Sequence, residues 1–355
     1  MKTAAKSFRL LAAGISAFSL SLSLIGASHA ADADKLTYMT WSGYELPEFH
    51  PGYPADKVDI SVFGDDDDAL SKVRAGYRPD LVHPCYDKLE RWKQAGLLQP
   101  LDASRLKNWE SIYPVIKDLP GMIDADGKVW MVPWDWGNTS ILYRTDLVKN
   151  PENSWKMLWN PQYSGRMATI DAVHDTALVA ALMSGVDAFA KLDQAQLDKI
   201  GQTLRAQRPL IRSYTNDMTS VEQSLASGEL VAAMTWNASA TALKKQHVPV
   251  TFMKPKEGML TWVCGMVLLK DSKHVDQAYD FINARLKPES GEKLIQEYGY
   301  GSASSAAFAR VPKARLEELE LPDDPNVVLK STVMTRNIPS NDELSKLFER
   351  VKAGG

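Results

Sequence analysis

Short apolar runs alternate with amphipathic stretches along the chain, and this alternation predicts strands that feed helices. Residues 35–41 and 57–63 read as strands, after which Gly64 and the run Asp65 to Asp68 open a helix reaching about residue 75. Carboxylates in a first helical turn cap it and favour its dipole, which accounts for the acidic run. The alternating acids and distant Glu of a calcium loop are absent. A third, short strand at 80–83 has Leu81 and Val82 as its apolar middle and leaves through Pro84, Cys85 and Tyr86 into a helix at 87–95. Strand and helix in this rhythm predict a parallel α/β sheet, and such sheets gather ligands at the carboxyl ends of their strands.

Residues 129–133 read as a strand entering a loop, Trp134 to Asn138, and 141–144 as the strand leaving it. A second α/β run begins with a strand at 165–170, a loop at 171–175 and a helix at 176–183. Helices at 193–206, 217–226 and 237–245 and strands at 230–236 and 248–252 follow. The run 259–269 is a strand rich in Trp, Val and Leu, closed by the turn residues Lys270, Asp271 and Ser272. Trp262 and Cys264 lie two residues apart on it and so share one face. Helices at 275–286 and 289–298, a loop at 299–302, an irregular stretch from Pro312 and a last helix at 341–352 complete the chain.

The first thirty residues do not belong to the fold. Lys2 and Lys6, a Ser-diluted apolar run at 10–25 and the small-residue site Ser28-His29-Ala30 form a secretory signal peptide cut after Ala30. The run is too dilute for a membrane anchor, and no Cys stands at the junction to carry lipid. The mature chain, 325 of the 355 residues, is therefore expected free in the periplasm, as two domains. A net charge of −3 without basic blocks argues against nucleic acid. The export signal also places Cys85 and Cys264 in an oxidising compartment, which favours pairing.

The usual catalytic and cofactor motifs are missing: no nucleophile elbow, phosphate-cradling loop, His-Glu-x-x-His or Cys-x-x-Cys. His83 and His174 lack further metal ligands at recognisable spacing, so neither a metal nor a cofactor is expected. A periplasmic hydrolase, or a thiol enzyme using Cys85 with His83 or His174, is the alternative of another class. What recurs instead is an aromatic at the end of nearly every predicted strand: Trp41, Tyr44, Tyr86, Trp134, Trp136, Trp236, Trp262 and Tyr300. Aromatic faces attract cations, so a box of them with one or two carboxylates suits an organic amine.

Several stretches together resemble the periplasmic spermidine- and putrescine-binding proteins that serve ABC importers. They are Trp41-Ser42-Gly43-Tyr44, Asp80-Leu81-Val82-His83-Pro84, Val132-Pro133-Trp134-Asp135-Trp136-Gly137, Ala233-Met234-Thr235-Trp236-Asn237, Pro255-Lys256-Glu257-Gly258 and Val351-Lys352-Ala353-Gly354. The similarity spans residues 36–354 and implies an α/β, two-lobed periplasmic-binding-protein fold with the ligand cleft between the lobes. Lobe 1 would hold 32–138 plus 264–310, and lobe 2 139–263 plus 311–355. The resemblance places family ligand contacts on Trp41, Ser42, Tyr44, Cys85, Tyr86, Asp175, Trp236, Trp262 and Tyr300. Trp134, Asp135, Trp136, Ser239 and Cys264 join them as candidates from the same stretches.

Departures from the family pattern bear on the ligand. The acid expected two residues after the hinge Trp is Cys264, the acid three residues after the earlier Trp is Ser239, and the acid of the first loop is Gly43. Asp175 alone keeps its acid, one methylene shorter than the usual Glu. An ammonium buried without a carboxylate costs several kcal/mol. Either Asp135 or Glu45 supplies the missing charge for a polyamine, or the ligand has a single cationic head, as in γ-aminobutyrate, betaine or choline. A zwitterion would also want a cation, for which Arg212 is the candidate. Because Cys85 and Cys264 both fall at family contact positions in lobe 1, a disulfide between them is expected to staple neighbouring loops at the cleft floor. The expectation is thus a monomeric, non-enzymatic receptor for a small organic amine, partnered by an inner-membrane ABC permease.

Overall fold

The computed structural model describes residues 35–322 and 324–355; the signal peptide expected at 1–30 lies outside them. Its strands are β1 (Leu36–Trp41), β2 (Val58–Phe63), β3 (Leu81–Val82), β4 (Leu98–Gln99), β5 (Val132–Arg144), β6 (Met167–Thr169), β7 (Ile211–Tyr214), β8 (Ala232–Trp236), β9 (Val250–Phe252), β10 (Leu260–Leu269), β11 (Gly301–Ser302) and β12 (Val333–Met334). Neighbours run in the order β2-β1-β3-β10-β5-β8-β6-β7. The β2-β1-β3 pairings and the β8-β6-β7 pairings are parallel, and β5 and β10, antiparallel to each other, join the two groups.

Both joining strands change cores part-way along. On β5, Trp136 packs in one apolar core and Ile141 in another; on β10, Leu260 belongs to the second and Val263 to the first. The protein therefore has two α/β lobes connected by strands that run from one into the other. The first core draws on 36–136 and 263–329, and the second on 141–260 and 338–351. A smaller cluster around Leu142, Leu225 and Phe252 backs the second.

Local chemistry explains most elements. Helix α1 (Asp66–Arg74) follows β2 with Asp65 as its cap, its side chain accepting the Asp68 N–H at 3.0 Å, and with Lys72 and Arg74 in the last turn. Helix α2 (Tyr86–Gln94) follows β3, with Cys85 at the position before its first turn. The helix Gln194–Gln207 starts with a full capping box between Asp193 and Gln196.

Three expectations need correction. Residues 134–138 are not a loop: Val132–Arg144 is one unbroken strand, buried as far as Leu142. Burial on both faces removes the polar alternation by which strands are recognised. Strand β7, Ile211–Tyr214, went unpredicted. The stretch after Pro312 is not irregular but carries the helices Lys313–Glu318 and Pro325–Ser331. Pro325 occupies the first helical position, where its missing N–H costs nothing.

Candidate functional site

A cleft of about 300 Å³ opens where β5 and β10 pass between the two cores. Trp262 and Cys264 both line it, as residues on one strand face should. Trp41, Ser42 and Tyr44 enter from the end of β1, Cys85 from the end of β3, Trp236 from the end of β8, and Tyr300 from just before β11. Trp41, Ser42, Tyr44, Cys85 and Trp236 thus come from carboxyl ends, where such sheets offer backbone and side chains to a ligand, whereas Tyr300 precedes its strand. The Trp262 indole lies over Gly137, where a Cβ would come within 2.3 Å of the ring. It meets Tyr300 edge-on at 4.9 Å, and Trp41 leans on Phe63 at 4.6 Å.

Cys85 and Cys264 form a disulfide, with Cα atoms 3.9 Å apart. It ties the loop after β3 to β10, and beside it the Gly265 N–H donates to the Pro84 carbonyl at 3.1 Å. Both cysteines of the chain are spent in this bond, which leaves a thiol enzyme without its nucleophile.

Asp135 stands across the β5–β10 ladder from Cys264 and lines the cleft. The ladder register slips between Cys264 and Gly265, where Trp134 is the extra residue on β5. Asp135 is buried and held on both oxygens, by the Tyr44 hydroxyl at 2.9 Å and by His83 Nε2 at 2.9 Å. Burial keeps the His83 pKa below its usual value. A neutral ring that donates from Nε2 accepts the Thr40 hydroxyl at Nδ1, 3.0 Å away.

Four candidates do not reach the cleft. Trp134 donates its indole N–H to the Arg285 carbonyl at 2.8 Å and Trp136 to the Ser302 carbonyl at 3.1 Å; both rings are core. Alternation on a strand puts Asp135 on one face and its two tryptophan neighbours on the other. Tyr86 turns away to the Pro120 carbonyl at 2.9 Å, and Ser239 is buried next to Glu222. Of the two residues expected to supply the missing charge, Glu45 is exposed outside the cleft and Asp135 lines it, while Arg212, the candidate cation for a zwitterion, is a surface residue paired with Glu229.

The profile of the bacterial extracellular solute-binding protein family matches residues 56–320. The chain belongs to this family. Two relatives of this solute-binding protein align over nearly their whole length. The spermidine/putrescine-binding periplasmic protein of Salmonella typhimurium is 24% identical over 97% of this chain and 98% of its own. The putrescine-binding periplasmic protein of Escherichia coli (strain K12) is 28% identical over 92% and 93%. Among solved structures, the spermidine/putrescine ABC transporter substrate-binding protein of Streptococcus pneumoniae superposes with a TM-score of 0.73 at 22% identity, covering 90% of this chain and 99% of that one, which supports the fold.

The cleft of this solute-binding protein holds more acid than the departures from the family pattern led us to expect. Asp65, Asp66, Asp67, Asp87, Asp171 and Glu349 line it together with Asp135 and Asp175. Asp175 sits in a π-helical turn, Val173–Ala177, ahead of the helix Leu178–Met183. Burial, against a smaller opposing pull from the Thr139 hydroxyl, raises its pKa to about 6. Asp171 and Glu349 both pair with Lys352. Asp66 accepts the Cys85 N–H at 2.8 Å, and burial followed by the nearby Asp87 lifts its pKa to about 8.

Asp67 and Asp87 share the buried ammonium of Lys88, at 3.4 and 3.7 Å, and Asp67 also takes Arg91. Lys88 Nζ lies 3.0 Å from His174 Nδ1. Burial and then Lys88 hold the His174 pKa well below the ordinary histidine value, so the ring is neutral and accepts. Sequence reasoning missed this group because the acidic run was already explained by capping. The available signal was topological: α1 and α2 both start at carboxyl ends of strands in the β2-β1-β3 set, so their first turns face the same ligand space.

Proposed function

We propose that this protein is the periplasmic receptor of an ABC importer and that it captures a small organic amine between its lobes. The carrying observation is the make-up of the cleft: Trp41, Tyr44, Trp236, Trp262 and Tyr300 as aromatic walls, with Asp175 as a carboxylate that makes no salt bridge with a lysine or arginine among the described residues. Aromatic faces and a carboxylate in a partly desolvated site attract an alkylammonium far more than water-exposed groups would. The names of the relatives agree, since spermidine and putrescine are amines of this class.

The lobes proposed are 32–138 with 264–310 and 139–263 with 311–355, closing about β5 and β10. The grouping of Leu316, Leu321 and Leu329 with the first core favours a later boundary near residue 330. The receptor is read as monomeric and non-enzymatic, delivering its ligand to an inner-membrane permease. A thermal-shift screen with putrescine, spermidine, γ-aminobutyrate, betaine and choline tests the reading. At least one amine should raise the Tm of the wild type and fail to do so for Asp175→Ala; no shift with any amine overturns it.

A further inference from the structure

We infer that Lys88 fills, from within the protein, the place of a second ligand ammonium, so that a diamine gains no preference over an amine with one cationic head. The inference rests on the amine-receptor reading above. Lys88 is surrounded as a bound ammonium would be: its Nζ lies 3.0 Å from His174 Nδ1, 3.4 Å from an Asp67 oxygen and 3.7 Å from an Asp87 oxygen. Its side chain is 11% exposed, and its carboxylate partners line the same cleft as Asp175. Burial works against its charge, yet Asp87, Asp67 and Asp66 outweigh that and keep its pKa above the ordinary lysine value.

The consequence for the ligand is arithmetic of charge. Asp67 is shared between Lys88 and Arg91 and Asp87 lies against Lys88, while Asp66, with its pKa near 8, is largely protonated at neutral pH. A second incoming ammonium would thus meet acids already neutralised and a like charge in place. A like charge held in a low-dielectric site repels an incoming ammonium, which offsets what the second ammonium would gain. Asp175, on the other lobe, is the carboxylate placed to face a cation.

Isothermal titration with putrescine and with n-butylamine, which has the same carbon chain and one ammonium, tests this on the unmodified protein. The wild type should bind the two within about threefold of each other. Lys88→Ala should bind putrescine at least tenfold more tightly than the wild type does, with n-butylamine little changed, because the diamine now supplies the missing ammonium. Lys88→Arg, which keeps the charge, should retain the wild-type ratio and separates loss of charge from loss of fold. A wild type that prefers putrescine more than tenfold overturns the inference and leaves the receptor reading standing. If neither amine binds any of the three proteins, both fail together.

Discussion

Replacing Cys85 and Cys264 together by alanine removes a cross-link between residues separated by 179 positions. In the chain-entropy account, closing a loop of that length restricts the denatured ensemble by roughly 18 cal/mol/K, or about 5 kcal/mol at 25 °C. The folded state should change little by comparison. The two loops stay joined by the hydrogen bond from Gly265 to Pro84, and α2 keeps its first turn through Lys88 N–H donating to the Cys85 carbonyl at 3.0 Å. Alanine is preferred to serine because Cys264 is 3% exposed and a buried hydroxyl would add its own cost.

Urea denaturation followed by tryptophan fluorescence measures the effect. With m of about 3 kcal/mol/M, the midpoint should fall by roughly 1.5 M, and m itself should rise because the uncross-linked denatured chain exposes more surface. A loss below about 1 kcal/mol with m unchanged would show that the bridge does not constrain the denatured state. Two titratable thiols in denatured, unreduced wild type would remove the premise altogether.

Three further outcomes follow from the cleft. Asp175→Asn should weaken amine binding by about 2 to 4 kcal/mol, roughly 30- to 1000-fold; in the wild type, a free pKa of about 6 that falls on binding a cation means affinity is present above pH 6 and drops about tenfold from pH 7 to pH 5. A flat profile by titration calorimetry across that range would reject Asp175 as the partner. Gly137→Ala drives a Cβ to 2.3 Å from the Trp262 ring and 2.9 Å from Asn237 Oδ1, so it should cost about 1 to 3 kcal/mol in stability and also weaken amine binding; an unchanged Tm and Kd would contradict the close packing. His174 is neutral in the fold, with its pKa lowered from 6.5, so the stability it supports is complete above pH 6.5 and is lost as the pH falls toward its lower folded value. Asp175 and Asp66, with raised pKa values, act in the opposite direction. The test is therefore the difference between wild type and His174→Gln: the wild type should lose more Tm between pH 7.5 and 5, and equal losses would exclude a role for the imidazole.

Much of this architecture was legible in the residues, because its local signals are strong. The strands before α1 and α2 carry apolar runs closed by turn residues, and β10 is a ten-residue run whose period of two puts Trp262 and Cys264 on one face. What escaped is decided between elements. Whether Asp67 and Lys88 meet depends on the strand order β2-β1-β3, which no local pattern encodes. Arg212 looked available for an anionic group, yet it lies on the surface with Glu229, a residue seventeen positions on that the sheet brings beside it. The Trp-Asp-Trp run resembled a loop because a strand buried on both faces has no polar face to announce itself.

Asp135 shows why a carboxylate in the right cleft is not yet a ligand partner. It faces Cys264 across the ladder, where a charge would offset the acid that position lacks. Each of its oxygens, however, already accepts a hydrogen bond, from Tyr44 and from His83, and both donors are themselves buried. Turning the carboxylate toward an ammonium would strand a buried hydroxyl or imidazole, at about 1 to 3 kcal/mol for each group left unpaired. The fully buried guanidinium of Arg285, stacked on Trp134 at 3.7 Å, adds a positive charge behind it. On the proposed reading Asp135 is therefore held in place by Tyr44 and His83, and direct contact with the ligand falls to Asp175. With Lys88 held by Asp67 and Asp87, one carboxylate, Asp175, facing one ammonium is the arrangement this reading leaves the cleft to complete.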